Sequence, residues 1–323
     1  FPEEVFRTFE DEPFAAASLG QVHRAVSRDG ERLAVKIQYP AIRSAIENDF
    51  KLLRSALIPV RLSGHVSKPI LMEIEQGILK ETDYLNEGRN IDFCREQLKP
   101  LEYVRVPAVY WNLTMDRFLT MSFLPGESLA DLLANTKPSQ PQRDLIGFRL
   151  LNLFSFQLHR LHAIHADPHP GNYLIQADGA IGLVDFGCVK KFSADFIETM
   201  KLFRERAWLK GEESTRRMSR LIWGPEILKK PDLARRVLAD AIEFYEVLFP
   251  SPSKGGPHVD FGNDRILKRM TRIWEEAMRN KLVNPEWAFY SRAELGLYNQ
   301  LHQLRARVDT SKVFGAPGRT DTK

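Results

Sequence analysis

Two stretches of the chain decide its fold class: His165-Ala166-Asp167-Pro168-His169-Pro170-Gly171-Asn172 and, shortly after, Gly182-Leu183-Val184-Asp185-Phe186-Gly187. A carboxylate can accept or orient a hydroxyl proton, and carboxylate and amide oxygens are the ligands that magnesium prefers. Asp167, Asn172 and Asp185 supply these groups in a fixed order. The two stretches therefore predict a site that combines proton transfer with magnesium binding.

The spacing of these residues is typical of protein kinases. There, an Asp and an Asn with four residues between them form the catalytic loop, and an Asp-Phe-Gly after a short hairpin holds magnesium. Here the apolar pieces Tyr173–Ile175 and Ile181–Val184 are joined by Ala177-Asp178-Gly179, which predicts that hairpin.

Upstream, a run of small residues fits the kinase phosphate-loop pattern G-x-G-x-x-G-x-V, with alanine at the first two glycine positions. The run is Ala15-Ala16-Ala17-Ser18-Leu19-Gly20-Gln21-Val22. Small residues in a turn are commonplace, so this signal alone is weak. Lys36, in an apolar strand behind the run, stands where a kinase places its phosphate-binding lysine. The alternative is a lysine on an edge strand that points into solvent.

An acidic helix could hold the ammonium of such a lysine. Asp83, Glu87 and Asn90 fall at i, i+4 and i+7, which is one stripe of a helix. The alternative, which is favoured for most charged stripes, is a solvated acidic face.

Taken together, these motifs resemble the UbiB or AarF family of atypical kinase-like proteins. The alanine-rich loop, the Glu81-x-Asp83 element and the His-x-Asp-x-His-x-Gly-Asn pattern at 165–172 are more particular to that family than to protein kinases at large. The resemblance covers Phe1 to Phe192 by motif, and the rest of the chain by length and helical character only.

The resemblance implies roles for individual residues. Asp167 would be the catalytic base, Lys36 would pair with Glu87, and Asn172 and Asp185 would hold magnesium. The residues implied to contact the nucleotide are Ala15, Ala16, Ala17, Ser18, Gly20 and Val22 over the phosphates, Lys36, Glu81 and Asp83 at the cleft, and Met121, Ser122 and Phe123 at the adenine.

The implied activity is that of an atypical kinase or ATPase that binds Mg-ATP or Mg-ADP in an interlobe cleft. It would support ubiquinone or other isoprenoid-lipid metabolism, with an isoprenoid-quinone-related small molecule or a membrane surface as partner. Two alternatives stay open: a small-molecule phosphotransferase of the aminoglycoside or choline kinase type, and a nucleotide-binding pseudokinase scaffold. No Ala-Pro-Glu follows Gly187 closely, and Gly224-Pro225-Glu226 is expected only to start a helix.

The predicted fold is α+β and two-lobed, like that of protein kinases. Residues 1–124 would form a small antiparallel-sheet lobe, with a hairpin about Asp29-Gly30 and helices over Ile42–Leu57 and from Ile70 to about Leu98. Residues 125–314 would form a larger lobe that is helical beyond Ser128 except for the hairpin after Asn172, and residues 315–323 would be a disordered tail.

Composition restricts the function further. The 323 residues carry a net charge of +4, and their basic pairs are scattered among acids, so no nucleic-acid partner is expected. Two cysteines in unrelated contexts favour a cytoplasmic or otherwise reducing compartment, with at most peripheral membrane contact. The chain begins with Phe1 and not with Met, so we expect a fragment or a processed chain. The resemblance also implies an N-terminal helical extension with a Lys-x-Gly-Gln motif; the motif does not occur here, so the extension was either removed or never part of this chain.

Four histidines raise the alternative of a zinc site: His159, His162, His165 and His169. Pro168 and Pro170 would break the helix needed to align them, and the Asp and Asn positions explain the segment better. A zinc site is therefore disfavoured.

Overall fold

The structure is a computed structural model that describes residues 2–17, 19–56, 79, 82–250, 258–280 and 284–315. The chain divides into two compact units. Unit 1 comprises Phe1–Gly126 and Gly182–Cys188, and unit 2 comprises Glu127–Ile181 and Val189–Lys323. The predicted lobe boundary at 124/125 lies two residues before the first break and does not include the return of 182–188 to unit 1.

Unit 1 is built on an antiparallel sheet. Its strands are β1 (Thr8–Phe9), β2 (Ala15–Ala17), β3 (Gly20–Val26), β4 (Arg32–Gln38) and, after the short β5 (Val104–Arg105), β6 (Phe118–Ser122). The order is β1-β3-β4-β6, with β2 also paired to β3. Gly30 adopts a positive φ of 90° in the β3–β4 turn, a conformation that glycine tolerates well. The hairpin predicted about Asp29-Gly30 is thus confirmed.

The helices of unit 1 are α1 (Pro2–Val5), α2 (Ile42–Ala56) and α3 (Tyr84–Gln97). The helix predicted over 42–57 is observed to residue 56, and the predicted run from Ile70 is observed from Tyr84. Residues 57–78, 80 and 81 lie outside the described part of the chain. Phe6, Ala25, Leu33 and Val35 form a buried cluster on one face of the sheet.

Unit 2 begins with β7 (Glu127–Ser128), which pairs with a later strand, β9 (Tyr173–Ile175). Its helices are α4 (Leu129–Asn135), α5 (Gln140–Phe156), α6 (Ala194–Arg204), α7 (Glu212–Trp223), α8 (Pro231–Leu248), α9 (Arg265–Arg279) and α10 (Pro285–Leu304). Short 3-10 turns lie at Trp111–Leu113 in unit 1 and at Pro170–Asn172, Ala207–Lys210, Pro225–Lys229 and Thr310–Lys312 in unit 2, and one π-turn lies at Gln157–Leu161. Ser128 and Ser193 cap α4 and α6 with their side chains.

The remaining strands are β8 (Ala163–His165), β9 (Tyr173–Ile175), β10 (Ile181–Leu183), β11 (Val189–Lys191), β12 (His258–Asp260) and β13 (Arg307–Asp309). A tight turn closed by the Gln176 N–H and the Ala180 carbonyl separates β9 from β10, as predicted. The expectation of no other strands beyond Ser128 is wrong, since β8 pairs with β11 and β12 with β13. Each has three residues, which is too short for a periodic pattern.

No helix among the described residues is both long and apolar enough to cross a membrane. The predicted disordered tail falls outside the described residues, apart from Gly315.

Candidate active site

Lys36 lies at the centre of a buried ion network in unit 1. Its Nζ atom donates to both carboxylate oxygens of Glu87 at 3.0 Å and to Asp185 Oδ2 at 3.2 Å. The Glu87 side chain is 1% exposed and that of Lys36 is 8% exposed. Both alternatives considered from sequence, a solvent-facing edge lysine and a solvated acidic face, are therefore wrong.

The sheet explains why Lys36 is buried. β4 lies between β3 and β6, with Lys36 opposite Val22 on one side and Leu119 on the other. Burial alone would lower the pKa of Lys36, but the charges of Glu87 and Asp185 outweigh it and raise that pKa above its ordinary value. The ammonium therefore stays protonated, with two carboxylates as partners.

Asp185 and its neighbours are fixed by α3. Asp185 has a φ of 62°, a left-handed conformation that costs energy in a residue other than glycine. The Phe186 N–H donates to Glu87 Oε1 at 3.2 Å, and Asn90 Nδ2 donates to the Phe186 carbonyl at 3.0 Å. Glu87 and Asn90, two members of the helix stripe identified from sequence, thus bind the backbone of Phe186, and Glu87 also binds Lys36.

Tyr84 is a member of this network that the sequence analysis missed. It is fully buried, and its ring lies 5.3 Å from Lys36 Nζ. Its hydroxyl has no hydrogen-bond partner among the residues that the structure describes. Burial raises the pKa of Tyr84 to about 12, although the charge of Lys36 opposes this shift. A buried aromatic residue in the first turn of an amphipathic helix is usually core, so no local signal singles out Tyr84.

The alanine-rich run forms a β-hairpin. Ala15 pairs with Val22, and Ala17 pairs with Gly20. Ser18 lies outside the described residues, and Ala15 and Ala16 are exposed. The predicted role of this loop over phosphates stays a prediction.

Of the two acidic residues of the Glu81-x-Asp83 element, Glu81 lies outside the described residues. Asp83 caps α3, since its Oδ1 accepts from the Asn86 N–H at 2.8 Å. This bond contributes to helix stability by itself. The predicted approach of Asp83 to a nucleotide is a separate hypothesis.

Met121, Ser122 and Phe123 lie on or just after β6. The Ser122 N–H donates to the Ala108 carbonyl and the Phe123 N–H to the Arg32 carbonyl, so both are engaged within unit 1. The Phe123 ring lies 5.9 Å from that of Phe14. The predicted contact of this strand with adenine stays a prediction, and it would need other backbone groups of the strand.

Asp167 and Asn172 are directly joined in unit 2. Asn172 Nδ2 donates to Asp167 Oδ2 at 2.7 Å, which leaves the amide oxygen as the atom that a metal would take. Asn172 is buried and Asp167 is half-buried. Burial, and then the charge of Asp167, raise the pKa of the neighbouring Tyr173 well above its ordinary value.

Helix α10 supports this loop, which sequence reasoning did not detect. Gln300 Nε2 donates to the Pro168 carbonyl at 2.6 Å. A Cβ atom at Gly296 would lie 2.1 Å from the Pro168 Cβ, so α10 packs directly on the proline. The sequence signal that could have indicated this contact is Gly296 itself, a glycine inside a helical pattern.

Asp185 in unit 1, and Asn172 and Asp167 in unit 2, offer hard oxygen atoms of the kind that magnesium prefers. Among the described residues, no three His, Cys, Asp or Glu side chains are grouped to hold a metal by themselves. Of the four histidines considered for zinc, His169 accepts instead from the Gly171 N–H at 3.1 Å. A cation held by two or three protein oxygens would need further ligands from a phosphate or water.

Comparison with known proteins identifies a family. Residues 1–218 match the model of the ABC1 atypical kinase-like domain. The chain is 35% identical over 187 residues to Protein ACTIVITY OF BC1 COMPLEX KINASE 7, chloroplastic, of Arabidopsis thaliana, with 57% of this chain and 27% of that protein covered. It is 34% identical over 201 residues to AarF domain-containing protein kinase 1 of Gallus gallus, with 60% and 38% covered.

Another relative, the probable serine/threonine-protein kinase abkA of Dictyostelium discoideum, is 27% identical over 341 residues, with 96% of this chain and 58% of that protein covered. The chain spans less than two thirds of the length of each of these three relatives. A solved complex of Rv3197 with erythromycin from Mycobacterium tuberculosis shares the fold, with a TM-score of 0.69 and 24% identity over 98% of this chain and 80% of that one.

Proposed function

Because the chain belongs to the ABC1 atypical kinase-like family, we propose that it binds Mg-ATP or Mg-ADP and acts as an atypical kinase or ATPase. The AarF resemblance and the kinase-like α+β fold predicted from the motifs are confirmed. The observation that supports the nucleotide proposal most directly is the buried Lys36 ammonium between Glu87 and Asp185.

In this proposal, Lys36 binds the α- and β-phosphates and Glu87 holds the ammonium in position. Asp185 and Asn172 contribute oxygen ligands to magnesium, which neutralises phosphate charge when it is bound. Asp167, oriented by its bond from Asn172 Nδ2, accepts the proton of the attacking hydroxyl or water. The turn at 17–20 covers the phosphates.

The Lys36–Asp185 contact carries a chemical consequence. The carboxylate of Asp185 is neutralised by the Lys36 ammonium, with 3.2 Å between Oδ2 and Nζ. A bound magnesium ion would compete for Asp185, and the phosphates would compete for Lys36. The Lys36–Asp185 pair would then be replaced by a pair of Asp185 with magnesium and a pair of Lys36 with the phosphates. No buried charge would lack a partner, as a low-dielectric site requires.

The acceptor of the phosphoryl group is proposed only by class. Family resemblance favours an isoprenoid-quinone-related small molecule or a target at a membrane surface, in a reducing compartment. Since Gly224-Pro225-Glu226 begins a 3-10 turn that comes late in the chain, we propose slow ATP hydrolysis and little transfer to generic peptides.

The test is thermal and chemical denaturation with and without Mg-ADP and Mg-ATP. A ligand at a hundredfold excess over its dissociation constant should stabilise the chain by about 2.7 kcal/mol. Asp185→Asn should remove most of this gain, and Asp116→Asn, which alters an exposed carboxylate ahead of β6, should not. Equal stabilisation of the parent and Asp185→Asn would exclude the assigned role of Asp185.

Turnover assays separate the two alternatives. Phosphorylation of an aminoglycoside or a choline-like alcohol would favour the small-molecule phosphotransferase. Nucleotide binding without hydrolysis or transfer under all conditions would favour the pseudokinase scaffold. Efficient phosphorylation of a generic basic protein would contradict the proposed lack of peptide transfer.

A further inference from the structure

Unit 2 contains a cavity of about 90 Å³ that takes no part in the proposed phosphoryl transfer. It lies among α5, α6, α8, α9 and α10, and most of its wall is aliphatic or aromatic. The aromatic rings in the wall include Phe154, Phe244, Tyr245, Trp287 and Tyr290. Trp287 and Tyr290 are 5.2 Å apart, and Phe154 lies 5.7 Å from Tyr290, so the rings form a continuous surface.

One carboxylate lines this apolar space. Glu294 on α10 is 8% exposed, and its Oε1 accepts from the Tyr290 hydroxyl at 2.9 Å and the Tyr298 hydroxyl at 2.7 Å. Both described bonds go to the same oxygen, so the second oxygen is the one available to a ligand. Burial raises the pKa of Glu294 to about 7, although the two tyrosine hydrogen bonds lower it.

The described wall of the cavity offers a negative charge and no positive one near pH 7. None of its described residues is lysine or arginine. The basic residue among them is His159, whose pKa is lowered to about 4 by burial and then by the charge of Arg204. His159 is therefore neutral near pH 7, and its buried Nδ1 has no partner within the described structure. Burial raises the pKa values of Tyr245, Tyr290 and Tyr298, so these side chains are neutral as well.

We propose that this cavity binds an apolar organic cation, such as an alkyl or aryl ammonium, with its charge beside Glu294 and its apolar part against the aromatic rings. The faces of Trp, Tyr and Phe rings attract cations, and a cation that reaches a desolvated carboxylate satisfies both charges at once. An anionic ligand would meet Glu294 without any compensating cation. A neutral apolar ligand would fill the space but leave the free carboxylate oxygen unpaired.

Two probes of the same shape test the proposal. Tetramethylammonium and neopentane, which are small enough for a cavity of this size, differ by a nitrogen or a carbon at the branch point, and thus by one positive charge. Calorimetric titration at pH 8 should show the cation to bind the full chain at least tenfold more tightly than the neutral probe. Glu294→Gln keeps an oxygen acceptor for the tyrosines, and it should weaken the cation at least tenfold and the neutral probe less than threefold.

Two controls complete the design. Glu275→Gln, which alters an exposed carboxylate on α9, should leave both affinities unchanged. Should Glu294→Gln fail to fold, the pH dependence of binding to the parent protein tests the proposal instead. The permanently charged probe should bind about tenfold more weakly at pH 6 than at pH 8, because Glu294 is protonated at the lower pH. No measurable binding of the cation, equal affinity for both probes, or an affinity independent of pH and of Glu294 would overturn the proposal.

Discussion

At Gly20, the backbone of β3 approaches β4 so closely that no side chain fits. A Cβ atom there would lie 2.1 Å from the Ile37 carbonyl oxygen and 2.8 Å from the Tyr84 hydroxyl. The glycine that the motif assigns to phosphate binding is thus also required by the packing of the sheet against α3. Ala17, its partner across the hairpin, carries no such constraint.

Substitution of Gly20 should therefore affect stability more than substitution of Ala17. Gly20→Ala should lower the free energy of unfolding by about 1–3 kcal/mol, because the strands must separate to admit the methyl group. Ala17→Gly should change it by no more than about 1 kcal/mol, yet shift the ratio of ATP to ADP affinity several-fold, since glycine frees the turn to close over a γ-phosphate.

Chemical denaturation and paired titrations of both nucleotides measure these effects. An unchanged affinity ratio in Ala17→Gly would mean that residues 15–20 form an ordinary turn, with the phosphates bound elsewhere. A stable Gly20→Ala variant would contradict the steric account.

At the scale of elements, α10 shows why part of the site escapes sequence reasoning. Lys36, Glu87 and Asp185 each lie in a recognisable motif on one strand, helix or turn, and the family resemblance implies that Lys36 pairs with Glu87. The contact of Gly296 with Pro168, by contrast, joins residues far apart in the chain, and no local pattern encodes it. The short strand β8 escapes for the same reason, since its hydrogen bonds go to β11.

Helix α10 offers a direct test of loop positioning. Gly296→Ala should improve helix propensity by about 1 kcal/mol, yet it should impair ATP hydrolysis because the new methyl group displaces Pro168 and with it Asp167 and Asn172. Gln300→Met removes the donor to the Pro168 carbonyl and should impair hydrolysis by the same route.

Gln303→Ala, which alters an exposed position of the same helix, serves as the control and should leave hydrolysis unchanged. Stabilisation by Mg-ADP should fall in both loop-directed variants, which provides a readout besides turnover. Full nucleotide response in Gly296→Ala would show that the loop tolerates displacement.

At the scale of the whole molecule, the fold continues well past the part that defines the family. The family model ends at residue 218, whereas α8, α9 and α10 lie beyond it. These helices contribute both the support under Pro168 and most of the wall of the Glu294 cavity. The region that the motifs leave unassigned is therefore part of one compact unit with the loop at 165–172.

Glu294 in the cavity wall should also affect how the free energy of unfolding depends on pH. The pKa of Glu294 is raised to about 7 on folding, so this residue contributes stability at low pH that is lost as pH rises from about 4.5 to 7. Relative to the parent, Glu294→Gln should therefore gain about 1.4 kcal/mol per pH unit over that range. Denaturation midpoints at pH 5, 6 and 7 measure this, and a constant difference between the two proteins would refute it.

His159, another residue of the cavity wall, has the opposite effect on the pH dependence of stability. Its pKa falls to about 4 on folding, so its contribution grows as pH rises from about 4 to 6.5. Between pH 5 and 6, the unfolded chain carries a proton on this imidazole and the folded chain carries one on the Glu294 carboxyl. The two states hold nearly equal numbers of protons at this pair, so the pair itself exchanges almost none with the buffer there. For these two residues, folding amounts to an internal relocation of one proton, from a nitrogen base to a carboxylate. Replacement of either residue should therefore change by about one the number of protons that folding exchanges with the buffer, which calorimetry in buffers of different ionisation enthalpy would measure.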